Sequence, residues 1–380
     1  MKTLLFQKRK EDTMAYSEEQ NQRHPEDLAQ APYVKVSRDK GEPVRRLLFE
    51  LKLLATNLRI MCDGQHLLIP LVKLPSNNDS DYLKKQVGSL EFGMGEFQVE
   101  QKALTILDML EEKIPPHILA SLPKSLDIVG HVAIVEITSE LEPFKSEIGR
   151  AILCVNKNVL TVLAKASPID TQYRIRDFEV LAGEDRTETL HSEYGCRFLL
   201  DLRRVYFSPR LGFEHDRVSK LVDEGETVVD MFCGIGPFSI LIAKRRSLVR
   251  IYAIDINPDA IRYLKENIRL NKVEEKVTPL LGDCRDIVRE KLKGVAHRVI
   301  MNLPAQSLEF IDLACEAIRP AGGITHLYTF SDEEPPFEKL KETLRKLILS
   351  AGRSAKEIEA RIVKDVAPYK RQVVLDVSLT

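Results

Sequence analysis

The sequence predicts an α/β protein in which two smaller α+β domains precede a doubly wound, mostly parallel sheet that ends in an antiparallel hairpin. Three observations predict it. From about residue 225, apolar runs of strand length alternate with amphipathic helices, as in parallel sheets with crossover helices. The last two strand-like runs are joined by a short turn, which indicates a hairpin at the sheet edge. The 380 residues are enough for two or three domains.

The domain boundaries are placed where composition or periodicity changes. Residues 1–31 are polar and rich in Glu and Gln, so we expect a disordered tail. Residues 32–80 combine two strand patterns with one helix pattern and predict a small α+β domain that ends in the turn-rich stretch 76–81. Residues 90–200 predict a middle α+β domain, and residues 201–380 predict the doubly wound domain.

The elements of the C-terminal domain follow from their apolar periodicity. The predicted strands share a short apolar run and are Thr227–Met231, Arg250–Ile254, Val277–Leu281, Arg298–Met301 and Ile324–Thr329. The predicted helices share apolar positions three and four residues apart and are Pro237–Lys244, Pro258–Asn271, Ser307–Ile318 and Pro336–Ser350. The closing hairpin is predicted over 360–367 and 372–379.

Composition excludes several classes of protein. No run of about 18 apolar residues exists, so we expect no membrane span and a cytoplasmic protein. The six cysteines are scattered without a Cys-x-x-Cys pair, which argues against a zinc site, and we expect no metal. The net charge of −1 argues against a polycation but not against RNA binding, because Lys and Arg also cluster locally, as in 203–220 and 244–250.

The stretch 227–239 combines a strand, a glycine loop and the start of a helix. Gly234 and Gly236 follow the first strand, where a backbone without side chains can come close to a ligand. In a doubly wound sheet, ligands bind beyond the carboxyl ends of the strands, at the point where the strand order reverses. The sequence therefore predicts a cofactor site at this loop.

Two acidic residues strengthen the prediction of a cofactor site. Asp255 ends the second strand, 21 residues after Gly234, and is placed to accept hydrogen bonds from ribose hydroxyls. Asp283 ends the third strand and is placed to accept from an adenine amino group. Both groups are parts of an adenosine.

NAD is the rival cofactor, and the residue at position 239 argues against it. The dinucleotide fingerprint needs a third glycine there, but the position is Ser239. The first-strand acid Asp230, together with Phe232 and Pro237 around the glycines, instead resembles motif I of S-adenosylmethionine-binding enzymes. The resemblance implies a class I, Rossmann-type methyltransferase domain with S-adenosyl-L-methionine as its cofactor.

The turn after the fourth strand indicates which atom receives the methyl group. Its residues Asn302-Leu-Pro304-Ala are a variant of the Asn-Pro-Pro-Tyr signature of nitrogen-directed methyltransferases. There the Asn and the rigid prolyl backbone hold a flat nitrogenous ring in line with the methyl group, so positioning is a large part of catalysis. Cysteine-dependent methylation of cytosine carbon 5 is rejected, because 302–305 contain no cysteine.

Four segments together resemble the archaeal and eukaryotic tRNA (guanine-N1)-methyltransferases, which modify the guanosine at tRNA position 37 beside the anticodon. The segments are Tyr206–Glu214, Asp230–Phe238, Ala253–Pro258 and Met301–Pro304. The resemblance covers about 33–380. It implies tRNA as the partner, contacted at the anticodon loop and, through the small first domain, at the elbow, and it implies a monomer.

The resemblance also implies the roles of four residues. Glu214 is the general base that removes the proton from guanine nitrogen 1, and Arg174 stabilises the charge that develops on oxygen 6. Asn302 and Pro304 grip the base edge. Arg176 is a close competitor for the role of Arg174. Alternatively, both arginines could only bind phosphate.

Tyr206 and His215 carry the remaining open questions of the site. Tyr206 lies close to the cofactor by resemblance, although a core residue would fit the same pattern. His215 stands where relatives often have Arg after the catalytic Glu, which puts in doubt any tRNA or cofactor contact of that arginine. His191 and Glu193 are expected to order a hairpin rather than take part in chemistry.

Two alternatives to guanine-N1 methylation stay open from the sequence. One is a wyosine-pathway enzyme that acts at the same position, by carbon 7 methylation or by transfer of the cofactor's aminocarboxypropyl arm. The presence of residues 33–75 favours the guanine-only branch. The other alternative is a tRNA-binding protein without catalysis, against which Glu214, Asp255, Asp283 and the Asn302 turn argue.

Overall fold

The computed structural model describes residues 28–99, 105–123, 125–167, 173–335, 337–367 and 369–380. The chain divides into two compact units, residues 1–104 and residues 105–380. Most of the predicted tail, residues 1–27, lies outside the described residues. Within the described residues, no helix has the length and apolar character that a membrane span requires.

The first unit is a small antiparallel sheet with two helices. Its strands are β1 (Leu28–Ser37), β2 (Met61–Asp63), β3 (His66–Pro70) and β4 (Glu91–Gln98), in the order β2-β3-β1-β4. Its helices are α1 (Gly41–Glu50), preceded by the 3₁₀ turn Arg38–Lys40, and α2 (Asn77–Val87). Alternate residues of β1, Val34 and Val36, pack against Val44 and Leu48 of α1, which gives the unit its own core.

Strand pairing corrects two boundaries of the first unit. β1 begins at Leu28, so residues 28–31 are not part of a tail. β4 pairs with β1 from Leu28↔Gln98 to Lys35↔Glu91, so 91–98 belong to this unit and not to the middle domain. An unpaired edge on the long strand β1 would leave a row of backbone donors and acceptors unsatisfied, and β4 covers it.

The stretch 76–81, predicted as a turn, begins helix α2. The Ser76 hydroxyl accepts from the backbone N–H of Asp79 at 3.2 Å, and the Asp79 carboxylate accepts from the backbone N–H of Ser76 at 3.3 Å. This reciprocal capping box satisfies backbone donors at the first turn. Ser, Asn and Asp favour turns and helix starts alike, which is why composition alone misassigned the stretch.

The second unit begins with a mixed sheet covered by helices. Its strands are β5 (Asp127–Val129), β6 (Val132–Val135), β7 (Thr161–Lys165) and β8 (Phe178–Gly183), in chain order across the sheet. Its helices are α3 (Ile106–Leu110), α4 (Pro116–Leu119) and α5 (Lys145–Val155), with the 3₁₀ turn Glu142–Phe144 before α5. A hairpin of β9 (Glu188–Glu193) and β10 (Cys196–Asp201) follows.

The predicted doubly wound sheet is confirmed. Its strands are β11 (Thr227–Asp230), β12 (Arg250–Asp255), β13 (Val277–Leu281), β14 (Arg298–Met301), β15 (Gly323–Ser331), β16 (Ala355–Ala367) and β17 (Lys370–Leu379). The order is β13-β12-β11-β14-β15-β17-β16, with β11 to β15 parallel and the closing hairpin antiparallel. The strand order reverses at β11, which makes it the switch point.

Helices cover both faces of this sheet. They are α6 (Gly212–Leu221), α7 (Pro237–Arg245), α8 (Pro258–Asn271), α9 (Cys284–Ile287), α10 (Ile311–Ala317) and α11 (Glu338–Ser350). Short 3₁₀ turns at Pro209–Leu211 and Ser307–Phe310 precede α6 and α10, and the π-helical segment Val288–Leu292 continues α9. Neighbouring strand residues such as Val228 and Val229 enter different core clusters, one on each face.

The middle domain shares a core with the doubly wound sheet. Val129, Ile134 and Leu163 of the mixed sheet belong to the same buried cluster as Val228 and Ile240. The predicted boundary between residues 200 and 201 falls inside β10. Residues 105–380 are therefore one compact unit with three sheets, one of them the β9–β10 hairpin, rather than two separate bodies.

Replacement of Ser76 by Ala should loosen α2. The substitution removes the cap and should cost about 1 kcal/mol of local stability. We expect hydrogen exchange, followed by mass spectrometry, to quicken across 77–87 in Ser76→Ala. The matched variant Ser80→Ala, inside the helix, should exchange no faster than the parent. Equal exchange in Ser76→Ala and the parent protein would contradict a stabilising role of the cap.

Candidate active site

The candidate site lies at the carboxyl ends of the three central strands. Asp230 ends β11, Asp255 ends β12, and Asn302 follows β14 directly. β11 pairs with both β12 and β14, so these three positions meet at the switch point. The sheet topology therefore gathers residues that are 72 positions apart in the chain.

The glycine loop after β11 has room for a ligand on one side only. Gly234 and Gly236 have φ angles of 55° and 90°, a region that side chains disfavour. A Cβ at 236 would lie 2.4 Å from Cδ1 of Leu264, so this glycine lets α8 pack closely. A Cβ at 234 would find nothing nearer than the Tyr206 carbonyl oxygen at 3.9 Å, so the loop is open there.

Asp255 fixes the shape of the glycine loop. Its Oδ2 accepts from the backbone N–H of Gly234 at 2.8 Å, and its Oδ1 accepts from that of Asn257 at 2.9 Å. Burial raises the pKa of Asp255 despite these hydrogen bonds. Each carboxylate oxygen accepts about two hydrogen bonds, so both retain capacity for ribose hydroxyls.

Two buried acceptor atoms at the switch point have no partner among the described residues. They are Oδ1 of Asp230 and Oδ1 of Asn302. The other carboxylate oxygen of Asp230 accepts from the Ser239 hydroxyl at 2.8 Å, and burial raises the pKa of Asp230 to about 7. A buried acceptor without a donor is unfavourable, so a ligand that brings donors to this edge fits the residues present.

Asp283, the predicted adenine acceptor, is engaged by a neighbouring arginine. It is the N-cap of α9, and it accepts from the backbone N–H of Arg285 at 2.8 Å and from Nη1 of Arg285 at 3.1 Å. The Arg285 guanidinium lies 4.1 Å from the centre of the Phe310 ring. Phe232 packs edge-on against the same ring at 5.1 Å, which joins Phe232 and Asp283 in one cluster.

Arg174, from the segment between β7 and β8, reaches the turn after β14. Its guanidinium carbon lies 4.3 Å from the centre of the Tyr206 ring, which is a cation–π contact. Its Nη1 donates to the Asn302 carbonyl oxygen at 3.5 Å, a long hydrogen bond. The positive φ of Arg174, 56°, is a strained backbone state at this contact. Arg174, Tyr206 and Asn302 thus come together.

Glu214 lies in the first turn of α6 and is 2% exposed. Its carboxylate accepts from Nη2 of Arg217 at 2.9 Å, from Nη2 of Arg361 at 2.8 Å and from the Tyr328 hydroxyl at 2.8 Å. Burial and the adjacent Glu214 raise the pKa of Tyr328 well above its ordinary value, so its hydroxyl stays protonated and donates. Two guanidinium groups and a hydroxyl therefore hold a buried anion.

Strand β15 links Glu214 to the turn after β14. Tyr328 donates to Glu214, and the next residue, Thr329, donates from its hydroxyl to the carbonyl oxygen of buried Pro304 at 3.4 Å. The side chain of Arg361, which holds the other oxygen of Glu214, is 41% exposed. Arg361 is therefore the most exposed of the three groups that donate to the carboxylate.

His215, the residue after Glu214, lies inside the protein. It is 2% exposed, its Nδ1 lies 2.7 Å from Oε1 of Glu193, and its ring packs edge-on against Phe238. His191 Nδ1 accepts from the backbone N–H of Gly130 at 3.2 Å. These contacts give His191, Glu193 and His215 roles in holding the β9–β10 hairpin against its neighbours.

A cavity of about 250 Å³ lies beside the Arg174–Tyr206 contact. Its basic lining residues are Lys165, Arg174, Arg176, Arg210 and Lys364. Burial and the adjacent Arg210 lower the pKa of Lys364, which reflects crowding of positive charge. These five basic residues outnumber the two acidic lining residues, Asp127 and Asp365, so the cavity favours an anionic group.

Sequence reasoning missed four residues around Glu214. These are Arg217, Tyr328, Arg361 and Asp376, of which three stand on strands of the sheet. A signal was present in the sequence: His326 and Tyr328 are polar residues two apart in a run that reads as a buried strand. The partner of each side chain depends on the order of the strands in the sheet, and local sequence patterns do not reveal that order.

A doubly wound sheet with this glycine loop at the switch point defines a class I, Rossmann-type methyltransferase. Three family models match the chain: TRM5/TYW2 methyltransferase domain over 189–352, TYW2 N-terminal domain over 106–187, and tRNA methyltransferase 5 N-terminal domain over 34–79. Together they follow the order of the sheets described above.

Relatives resemble the chain over nearly its whole length. The tRNA (guanine(37)-N(1))-methyltransferase Trm5b of Pyrococcus abyssi is 43% identical over 90% of this chain and 97% of its own. The crystal structure of that organism's Trm5b superposes with a TM-score of 0.71 at 39% identity, covering 92% of this chain and 99% of the other. A complex of aTrm5 with tRNALeu gives a TM-score of 0.68 at 36% identity, with the same coverage. The chain belongs to the tRNA (guanine(37)-N(1))-methyltransferase family.

Replacement of Asp230 by Asn should stabilise the protein in a pH-dependent way. The folded pKa of about 7 exceeds the ordinary 3.8, so the folded state keeps a proton that the unfolded state loses between those values. Stability therefore falls as pH rises through this window and stays low above it. Asn does not ionise, so the variant does not lose this stability. The free energy of unfolding of Asp230→Asn, relative to that of the parent, should therefore rise by roughly 2–4 kcal/mol from pH 4 to pH 8.

Urea unfolding of the ligand-free protein at several pH values measures this gain. The exposed Asp332→Asn variant is the matched control and should track the parent protein at each pH. If Asp230→Asn differed from the parent by a constant amount at all pH values, Asp230 would not titrate in this window.

Proposed function

We propose that the chain transfers a methyl group from S-adenosyl-L-methionine to nitrogen 1 of the guanosine at position 37 of tRNA. The observation that carries the proposal is the contact of Arg174 with both Tyr206 and the Asn302 turn. It joins an arginine to the turn that resembles the nitrogen-directed signature. Relatives with this named activity align over 90% of the chain, which supports the same reading.

The residues at the switch point fit the proposed cofactor. Asp255 would accept from ribose hydroxyls, and Gly234 and Gly236 would allow the backbone to come close. Tyr206, Phe232 and Asp230 would line the same edge, and Asn302 offers an unpaired buried acceptor. Asp283 would contact the adenine only by sharing its carboxylate with Arg285. When bound, the cofactor supplies an electrophilic methyl carbon on its sulfonium.

Glu214 would act as the general base. Guanine nitrogen 1 carries a proton at neutral pH, and methylation there requires that proton to leave. A base must lie within hydrogen-bond reach of the proton, directly or through one water. Oε1 of Glu214 is held by the half-exposed Arg361, and we propose that Arg361 would release it to the incoming base.

Arg174 would stabilise the product of that proton transfer. Loss of the proton moves negative charge toward guanine oxygen 6, and a preformed positive charge is most effective where charge develops. Asn302 and Pro304 would grip the base edge in the turn after β14, and Thr329 holds the carbonyl of Pro304. The base would have to leave the anticodon-loop stack to enter.

The proposed partner is tRNA, contacted at the anticodon loop and the elbow. The cavity lined by Lys165, Arg176, Arg210 and Lys364 would take phosphate near the target nucleotide. The first unit, which matches a tRNA methyltransferase N-terminal domain over 34–79, would reach the elbow. We further propose that the protein acts as a monomer in the cytoplasm.

Methyl transfer to tRNA transcripts with guanosine or adenosine at position 37, followed by nucleoside analysis, tests the proposal. We expect 1-methylguanosine from the first transcript and no labelled purine from the second. Transfer only to a tRNA that carries a wyosine precursor would replace the proposal with wyosine-pathway chemistry. Tight binding of tRNA without transfer would replace it with a non-catalytic role.

Glu214→Gln should transfer the methyl group slowly while still binding both substrates. Removal of a general base typically costs on the order of 10²- to 10⁴-fold in rate. Single-turnover transfer measures the loss, and calorimetric binding of S-adenosylmethionine checks that the site is intact. Glu266→Gln is the matched control and should react like the parent, because Glu266 is a half-buried glutamate on α8 whose partner is Arg262. An unchanged rate in Glu214→Gln would remove Glu214 from the mechanism.

Arg174→Lys and Arg176→Lys should separate the two candidate arginines. A lysine keeps the charge but loses the planar contact with Tyr206 and the donor that reaches Asn302. We expect Arg174→Lys to lower the single-turnover rate by about 10²-fold with tRNA affinity nearly unchanged. Arg176→Lys should change affinity at most. The opposite pattern would assign the catalytic role to Arg176.

A further inference from the structure

A chain of buried polar side chains leads from Glu214 into the sheet. Arg217 donates from Nη2 to Glu214 at 2.9 Å and from Nη1 to Oδ2 of Asp376 at 2.6 Å. The other oxygen of Asp376 lies 2.6 Å from Nδ1 of His326, its cross-strand neighbour in the β15–β17 ladder. Arg217 thus stands between two carboxylates, and His326 stands behind the second one.

The contacts of His326 determine which ring nitrogen carries the proton. Nη1 of Arg298 lies 2.8 Å from Nε2 of His326, and a guanidinium only donates, so Nε2 accepts. The ring proton is therefore on Nδ1 and is donated to Asp376. Burial lowers the pKa of His326, consistent with a neutral ring. Arg298 is held in turn by Glu226 at 2.7 Å.

Asp376 remains an anion in this setting. Burial alone would raise the pKa of Asp376, but hydrogen bonds from His326 and Arg217 outweigh burial and lower it below its ordinary value. Because the ring of His326 is neutral, Arg217 is the cation that Asp376 balances. The charge of Arg217 is therefore divided between Asp376 and Glu214.

We propose that Asp376 is a positioning residue that keeps Glu214 an effective base by sharing Arg217, and that His326 holds Asp376 in place. The proposal rests on the proposed role of Glu214. A carboxylate that faces an undivided guanidinium is a weaker base than one that shares it, because the nearby positive charge favours the ionised form. Base strength in turn governs the rate of proton removal.

The other groups that face Glu214 do not replace Asp376. Tyr328 from β15 donates a neutral hydroxyl, and Arg361 from β16 adds a second positive charge. Both donate to the Glu214 carboxylate, and neither offsets the positive charge of Arg217. Among the described residues, Glu214 forms ion pairs with Arg217 and Arg361. Apart from Glu214, Asp376 is the carboxylate that pairs with Arg217.

Asp376→Asn tests the proposal. With Arg217 undivided, we expect the single-turnover rate to fall on the order of ten-fold, since the rate follows base strength. The acid limb of the pH–rate profile should move to lower pH, while tRNA and S-adenosylmethionine affinities stay within about two-fold of the parent protein. A rate loss with an unmoved acid limb would mean a purely structural role and would overturn the proposal.

A double-mutant cycle with Arg217→Gln checks the route of the effect. If Asp376 acts through the charge of Arg217, then Asp376→Asn should not move the acid limb further in the Arg217→Gln background. Equal displacement of the limb in both backgrounds would overturn the proposal. Glu266→Gln serves again as the control that should follow the parent.

Substitutions of His326 provide a second test of the proposal if Asp376→Asn folds poorly. An Asn amide can replace the Nδ1 donor toward Asp376, whereas Leu removes it. We expect His326→Asn to retain most of the parent rate and pH profile, and His326→Leu to show both the lower rate and the shifted limb. Identical profiles for the two variants would contradict the proposal.

Failure of this inference is distinguishable from failure of the proposed function. Glu214→Gln is measured in the same series. If Glu214→Gln transfers normally, the base assignment itself is wrong. If Glu214→Gln is slow but Asp376→Asn keeps the acid limb of the parent, Glu214 is the base and Asp376 does not tune it.

Discussion

A carboxylate that is almost fully buried must be surrounded by donors, and this requirement shapes the centre of the protein. Glu214 accepts from α6, β15 and β16, and the arginine that holds it is shared with β17. An isolated buried charge would be very unfavourable, so the surrounding strands must be in register before the carboxylate can be accommodated. The chemistry of the site and the assembly of the sheet edge therefore depend on each other.

The closing antiparallel hairpin contributes charged residues to this buried cluster. The sequence predicts this hairpin only as the edge of the sheet. In the structure, β17 supplies Asp376 and β16 supplies Arg361 to the same carboxylate cluster. The proposed cofactor site is built differently, from loops that follow the central parallel strands and from Arg174, which donates to the turn after β14. Under the proposed roles, proton removal and cofactor binding would depend on different parts of one sheet, with β15 between them.

The sequence predicted what depends on local pattern and missed what depends on strand order. Strands such as Val277–Leu281 and helices such as Pro258–Asn271 have the predicted bounds, because their periodicity is strong. Residues 91–98 were assigned to the wrong domain, because pairing with β1 joins positions about 60 apart and leaves no local signal. The partners of Glu214 were missed for the same reason: Tyr328, Arg361 and Asp376 are more than 100 residues away. Arg174, Asn302 and Tyr206, which resemblance suggested, do lie in contact.

The central claim is that Glu214 removes the proton from guanine nitrogen 1, and changing the acidity of that proton tests it most directly. In 8-azaguanosine the proton on nitrogen 1 is more acidic, while the edge that carries nitrogen 1 and oxygen 6 is unchanged. Single-turnover methylation would be compared for the parent and Glu214→Gln, with guanosine or 8-azaguanosine at position 37. The account predicts that the loss caused by Glu214→Gln is much smaller with 8-azaguanosine. An equal loss with both nucleosides would contradict it.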